Sequence, residues 1–218
     1  MDYVISILPA LLSGVQMTLA VFAITLLGAI PLGMIVAVGL LYRGKNPLAV
    51  AGKGLLDGYI WLFRGTPLLL QLIFVFYGLP LVHIVFDRFS AVIFTFILNY
   101  AAYFAEIYRG GFGAIEEGQF EAASVLNLTR WQTLRYVVIP QVLKVVLPSM
   151  GNEVINLVKD SSLVYVIGLG DLLRAGEVAT ARDVTLVPLV LVALLYLIMT
   201  LVLTLLQRRV EKAFSYYK

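Results

Sequence analysis

The sequence has no cysteine, which excludes disulfide staples and Cys-ligated metal centres. It has one histidine, His83, which cannot build a zinc site by itself and leaves little room for a Ser-His-Asp triad. No G-x-x-x-x-G-K-[ST] loop is present to cradle nucleotide phosphates. Charge is scarce too: 13% of the 218 residues are charged and 61% are hydrophobic, against about 25% and 45–50% in ordinary soluble domains. That apolar excess is more than one buried core can hold, so the remainder faces lipid. The start, Met1-Asp2-Tyr3, lacks the basic residues of a signal peptide, and the first apolar run is much longer than a signal-peptide core. It is expected to be a retained spanning helix.

What is present divides into apolar runs. A helix needs about 20 such residues to cross the bilayer core. No charge interrupts Tyr3 to Tyr42, which predicts one long or tilted helix from Leu8 to Leu41 with Pro31 as a kink. Further spans are expected at Thr66 to Phe86, Phe89 to Ala105, Val137 to Val158 and Val184 to Leu206. The expected fold is therefore all-α, a single membrane domain over residues 1–218 with five transmembrane helices. Arg43, Lys45 and Lys53, then Arg109, Arg130, Arg135 and Lys144, then Arg208, Arg209, Lys212 and Lys218 fall on one side. Only Arg88, Arg174 and Arg182 fall on the other, while Arg64 and Lys159 lie in or beside spans. Eleven cations against three put the C-terminus in the cytoplasm and the N-terminus outside.

The largest polar insertion, Glu106 to Arg135, then faces the cytoplasm. Between Glu116 and Tyr136 it reads as helix, break, helix. Ala, Glu and Gln favour the first helix, Asn127 suits a left-handed cap, and Thr129 with Gln132 forms a capping box for the second. The second helix is expected to stop before Pro140. Two short helices bearing exposed Phe120, Leu126 and Trp131 suit either a rigid knob for a partner's groove or a pair packed on its own membrane domain.

Glu121-Ala122-Ala123, the turn residue Asn127, and Ile139-Pro140 resemble the EAA loop of ABC importer permeases, although that family usually has Gly at the turn. Three more stretches resemble the polar amino-acid branch of the family. They are Phe63-Arg64-Gly65-Thr66-Pro67-Leu68-Leu69-Leu70-Gln71, Ala105-Glu106-Ile107-Tyr108-Arg109-Gly110-Gly111 and Lys159-Asp160-Ser161-Ser162-Leu163. The resemblance implies a non-catalytic permease subunit in a prokaryotic plasma (inner) membrane, paired with a second permease chain. It implies two cytoplasmic ATPase subunits, which carry the ATP and Mg, and an extracytoplasmic amino-acid-binding protein. It also implies a coupling segment at residues 116–136, with Gln119, Phe120, Glu121, Ala122, Ala123, Leu126, Asn127 and Arg130 meeting the ATPase.

Ionisable groups at the centre of a span cost about 2.5 kcal/mol or more each, so each needs a partner or a function. Glu153, Asn156 and Asp160 stand at i, i+3 and i+7, within about 60° of one another on a helix, while Lys159 points away. That face suits the positive side chain of arginine, lysine or a similar amino acid. Equally, Glu153 can bond a neighbouring helix and Asp160 can pair with Lys159. Asn152-Glu153 resembles the basic-amino-acid members of the family. Backbone N–H groups near Gly65-Thr66-Pro67 can face a substrate carboxylate, with Thr66, Gln71, Asn99, Tyr100 and Tyr103 as further liners or as packing residues. Glu106 and Arg109 are spaced to pair, Arg64 to anchor at a membrane edge, and Gly110, Gly111 and Gly151 to allow close helix approach. The rival readings are an ion-gradient-driven transporter, for which no internal repeat is found, and a membrane enzyme, for which no nucleophile or cofactor motif is found.

Overall fold

The structure, a computed structural model, describes residues 2–42, 44 and 46–214. Met1, together with Arg43, Lys45 and Lys218 of the charge bias, lies outside the described residues. The described residues are almost all helical, joined by short turns, with no strand among them. In order they form α1 (Asp2–Leu41), α2 (Pro47–Gly65), α3 (Leu68–Ile73), α4 (Arg88–Gly113), α5 (Glu117–Val125), α6 (Arg130–Thr133), α7 (Ile139–Asp160), α8 (Leu172–Asp183) and α9 (Val187–Ala213).

The core is built on α4. Phe96, Tyr100, Ala101, Ala102, Phe104 and Ala105 are buried along it, because α1 packs down its length. Lipid gives apolar helices no hydrophobic reason to associate, so close packing must hold them. Gly33 of α1 provides it: a Cβ there would lie 2.8 Å from Phe104 Cβ and 2.9 Å from the Ala101 carbonyl. α9 shows the opposite pattern, with Leu194, Leu197 and Leu201 at least half exposed on a lipid-facing side.

Three helices (α1, α4 and α9) are long and apolar enough to span a membrane, and α2 with the stretch Leu68–Val82 forms a pair bent by 105° that can serve as a fourth. The expected second span thus begins later than Thr66 and follows a 19-residue helix, α2, that hydropathy missed because Lys53, Asp57 and four glycines dilute it. The expected fourth span, α7, has the length at 22 residues but not the apolarity, since Glu153, Asn156 and Asp160 face inward. α1 continues as one helix through Pro9 and Pro31.

Two further expectations are corrected. The helix starting at Arg130 does not stop before Pro140. A π-helical turn, Leu134–Val138, in which the Ile139 N–H donates to the Leu134 carbonyl, carries the chain into α7. The wider turn leaves Pro140 in the first turn of α7, where a missing N–H costs little. Gly110 meets nothing within 4 Å, so it allows no close approach within this chain; Gly111, against Val146, and Gly151, against Gln207, do.

The far end of the bundle is tied by a buried carboxylate that sequence reading overlooked. Asp171 caps α8, accepting from the Leu173 and Arg174 N–H groups at 3.0 Å each and from the Tyr196 hydroxyl at 3.4 Å. The Leu172 N–H donates to Thr18 Oγ1 on α1 at 3.2 Å. At the other end of α8, Arg182 and the Tyr3 hydroxyl both donate to Asp183, holding its carboxyl down at about 2. Gly14 makes the α1–α8 contact possible, since a Cβ there would sit 2.7 Å from Leu172 Cα. A Gly14→Val variant is expected to lose about 1–3 kcal/mol through overpacking, read as a lowered melting temperature in detergent.

Candidate functional site

α2 ends at Gly65 and α3 begins at Leu68, with Thr66 and Pro67 extended between them. Pro67 has no N–H and biases Thr66 away from the helical region, which explains where the break falls. A break at membrane depth frees carbonyls, and nothing in lipid can satisfy them. Two amide side chains do so here. Gln71 Nε2 donates to the Phe63 carbonyl (3.0 Å), the Thr66 carbonyl (3.1 Å) and Thr66 Oγ1 (2.8 Å). Asn99 Nδ2, on buried α4, donates to the Phe63 carbonyl and to Gln71 Oε1, both at 3.0 Å.

Beside this junction lies a cavity of about 410 Å3. It is lined by Thr66, Pro67, Leu68 and Leu69 of the break, Asn99, Tyr100 and Tyr103 of α4, Glu153, Asn156 and Asp160 of α7, and Leu163 beyond. The i, i+3, i+7 face of α7 therefore opens into one space with the start of α3. Of the residues singled out from sequence, Thr66, Asn99, Tyr103, Glu153, Asn156 and Asp160 meet here, while Gln71 stands behind the wall, drawn to the freed carbonyls. Lys159 is exposed and does not line the cavity. Tyr100 donates to Asp160 Oδ2 at 2.7 Å. Neither Glu153 nor Asp160 has a cationic partner among the described residues.

Further along α4, Glu106 receives both guanidinium donors of Arg109 and lies 3.7 Å from Arg64 Nη1. The Arg64 guanidinium carbon also sits 5.4 Å from the centroid of the Tyr103 ring.

The polar segment after α4 stands out from the bundle. In α5 only Ala123 is buried; Gln119, Phe120, Glu121 and Ala122 are exposed, as are Leu126, Asn127 and Arg130 beyond it. Asn127 is left-handed at φ 53°, as its position predicts. Its N–H reaches the Ser124 carbonyl (2.9 Å) and the Leu128 N–H the Ala123 carbonyl (3.0 Å), the paired closure of a Schellman turn. The Thr129–Gln132 capping box is formed. One side-chain bond, Gln141 Nε2 to Gln119 Oε1 at 3.1 Å, ties α5 to α7.

The sequence pattern of the family described as "binding-protein-dependent transport system inner membrane component" matches residues 29–216. The chain belongs to that family. This permease is 36% identical over 210 residues to the glutamine transport system permease protein of Escherichia coli (strain K12), covering 94% of this chain and 93% of that one. It is 36% identical over 207 residues to the arginine transport system permease protein of Bacillus subtilis (strain 168), covering 94% and 92%. Among solved structures it superposes on a chain of an amino acid ABC transporter crystallised with histidines, with a TM-score of 0.88, 33% identity and 97% of each chain covered. The ABC permease resemblance drawn from the four motifs holds, and these relatives lend nothing to the gradient-driven reading.

Sequence reading pointed to the Gly65-Thr66-Pro67 stretch but missed Leu68, Leu69 and Leu163 as cavity liners of the permease; the helix-breaking Thr-Pro dipeptide was the signal for the first two. The carbonyl-holding amides carry a prediction. Gln71→Ala and Asn99→Ala are each expected to cost about 1–3 kcal/mol. The double variant should cost less than their sum, because both close the Phe63 carbonyl. Unfolding midpoints in detergent, read as a double-mutant cycle, check this.

Proposed function

We propose that this permease is the transmembrane subunit of an ATP-driven importer for basic amino acids such as arginine. The observation that carries the reading is the cavity itself. It lines one space with two carboxylates, Glu153 and Asp160, and the amide Asn156 among tyrosines, and among the described residues the acids have no ion-paired basic partner. A volume of about 410 Å3 falls in the range of small-ligand sites, about 300–1,000 Å3. Two unpaired carboxylates in a low-dielectric site favour a cation, and a guanidinium can take a carboxylate in bidentate fashion. The backbone at Leu68 and Leu69, where α3 starts, supplies N–H groups to the substrate's own carboxylate, with Thr66, Asn99 and Tyr103 completing the wall and Gln71 bracing it. The relatives named for glutamine and for arginine are equally similar at 36%, so identity does not choose between them; the acid pair supports the basic reading.

The same reading takes α7 as a fifth span, sets the N-terminus outside, and turns the segment 116–136 to the cytoplasm of a prokaryotic cell. There Gln119, Phe120, Glu121, Ala122, Ala123, Leu126, Asn127 and Arg130 dock into ATPase subunits, which bind ATP and Mg2+ and hydrolyse it; this chain has no phosphate loop of its own. Exposed Phe120 and Leu126 on a rigidly turned knob support docking over packing on the membrane domain. A second permease chain and an extracytoplasmic binding protein complete the machine, which alternates between inward and outward access.

Glu153→Gln is expected to lower uptake of labelled arginine by about tenfold or more in vesicles holding the assembled transporter, at unchanged expression. Undiminished uptake would overturn the basic-substrate reading.

A further inference from the structure

Around the cavity the charges are unevenly supplied. Glu153 and Asp160 have no cation within ion-pair distance among the described residues, and Asp160 accepts from the Tyr100 hydroxyl. One to two helical turns along α4, toward the end from which the coupling segment leaves, cations are at hand. There Glu106 serves two guanidiniums, and Asp57 adds a second carboxylate on the Arg109 side. Arg109 holds it closely with two donors, which leaves Arg64 a looser contact at 3.7 Å. Arg64 is thus the more loosely held of the two cations. It lies between the two groups, over the face of Tyr103, a residue that itself lines the cavity. Its side chain is 40% exposed and rides on the last turn of α2, one residue before the 105° break.

Such a placement matters once a cationic substrate has left. Two carboxylates at membrane depth, emptied of their ligand, are costly unless another cation or proton takes its place. We propose that Arg64 is an exchanging counter-ion: it leaves Glu106 and Tyr103 to neutralise Glu153 and Asp160 when the cavity is empty, and returns to Glu106 when a substrate cation arrives. Arg64 then competes with the substrate from the release side, weakening binding and speeding departure. It is a specificity-determining residue because it competes with cationic ligands and leaves neutral ones untouched. The proposal rests on the basic-substrate reading above.

The test uses the assembled transporter with its ATPase subunits, measuring equilibrium binding of labelled arginine in detergent and uptake in vesicles. Arg64→Gln is expected to bind arginine about fivefold more tightly, the size of a partly exposed ion pair, and to turn over more slowly. Arg64→Lys, which keeps the charge, is expected to stay within about twofold of the parent in both. Glu106→Gln, which frees Arg64 for the cavity, is expected to move the other way, weakening arginine binding about fivefold. Opposite signs in the two neutral variants support the exchange. Weaker binding in Arg64→Gln would make Arg64 a direct substrate ligand and overturn it, as would unchanged binding in both variants. Arginine binding that is indifferent to Glu153→Gln would instead bring down the underlying reading. Binding that depends on Glu153 but not on Arg64 or Glu106 would bring down this inference alone.

Discussion

Everything around the cavity depends on the carbonyls that Thr66 and Pro67 set free. A helix broken at membrane depth is tolerable only if its loose backbone groups find partners inside the protein, since an unmet one costs several kcal/mol in hydrocarbon. Gln71 turns back from α3 to meet two carbonyls, and Asn99 meets one of them and also clamps Gln71. The amide pair therefore does more than seal a break. It fixes α3 against α4, so the first residues of α3 face the acid-bearing side of α7 across a defined gap. Arg64 sits at the edge of that gap because α2 must end there.

The parts of this arrangement that were legible from sequence are those whose signal is local. Asn127 as a left-handed cap, the Thr129–Gln132 box, and the one-sided spacing of Glu153, Asn156 and Asp160 all follow from helix geometry and side-chain chemistry within a few residues. The Glu106–Arg109 pair did as well. What was illegible depended on long-range partners or on averages over a span. α2 was hidden because its charges lower mean hydropathy, yet Asn46 caps it and Pro47 starts it well. The passage through Pro140 was misjudged because the π turn that admits the proline leaves no single-residue signature. Gln71 was read as a liner because nothing in the sequence says which way an amide beside a break will face. Asp171 was passed over, although Gly168-Leu169-Gly170-Asp171 before two leucines is a recognisable helix start.

The two polar regions of the chain follow different rules. In the cavity, polar groups are buried or half-buried and turned inward, and their cost is met by specific partners such as Tyr100 on Asp160. In the segment after α4, stability comes from the backbone: a Schellman closure, a capping box and a π turn set successive helix directions with little tertiary packing. A surface held by its own turns keeps its shape whether or not a partner covers it, and binding to such a surface requires little ordering.

The carboxylate of Asp171 has a mechanical consequence. It holds the start of α8, a hydroxyl from α9 and, through the neighbouring Leu172 amide, a hydroxyl from α1 at one point, and Tyr3 and Asp183 repeat the α1–α8 link at the other end. Three helices riveted at one station, two of them again at a second, travel as one plate. Any rocking of the molecule must then be taken up where such rivets are absent, along the seams at which the bent pair and the acid-bearing helix meet α4.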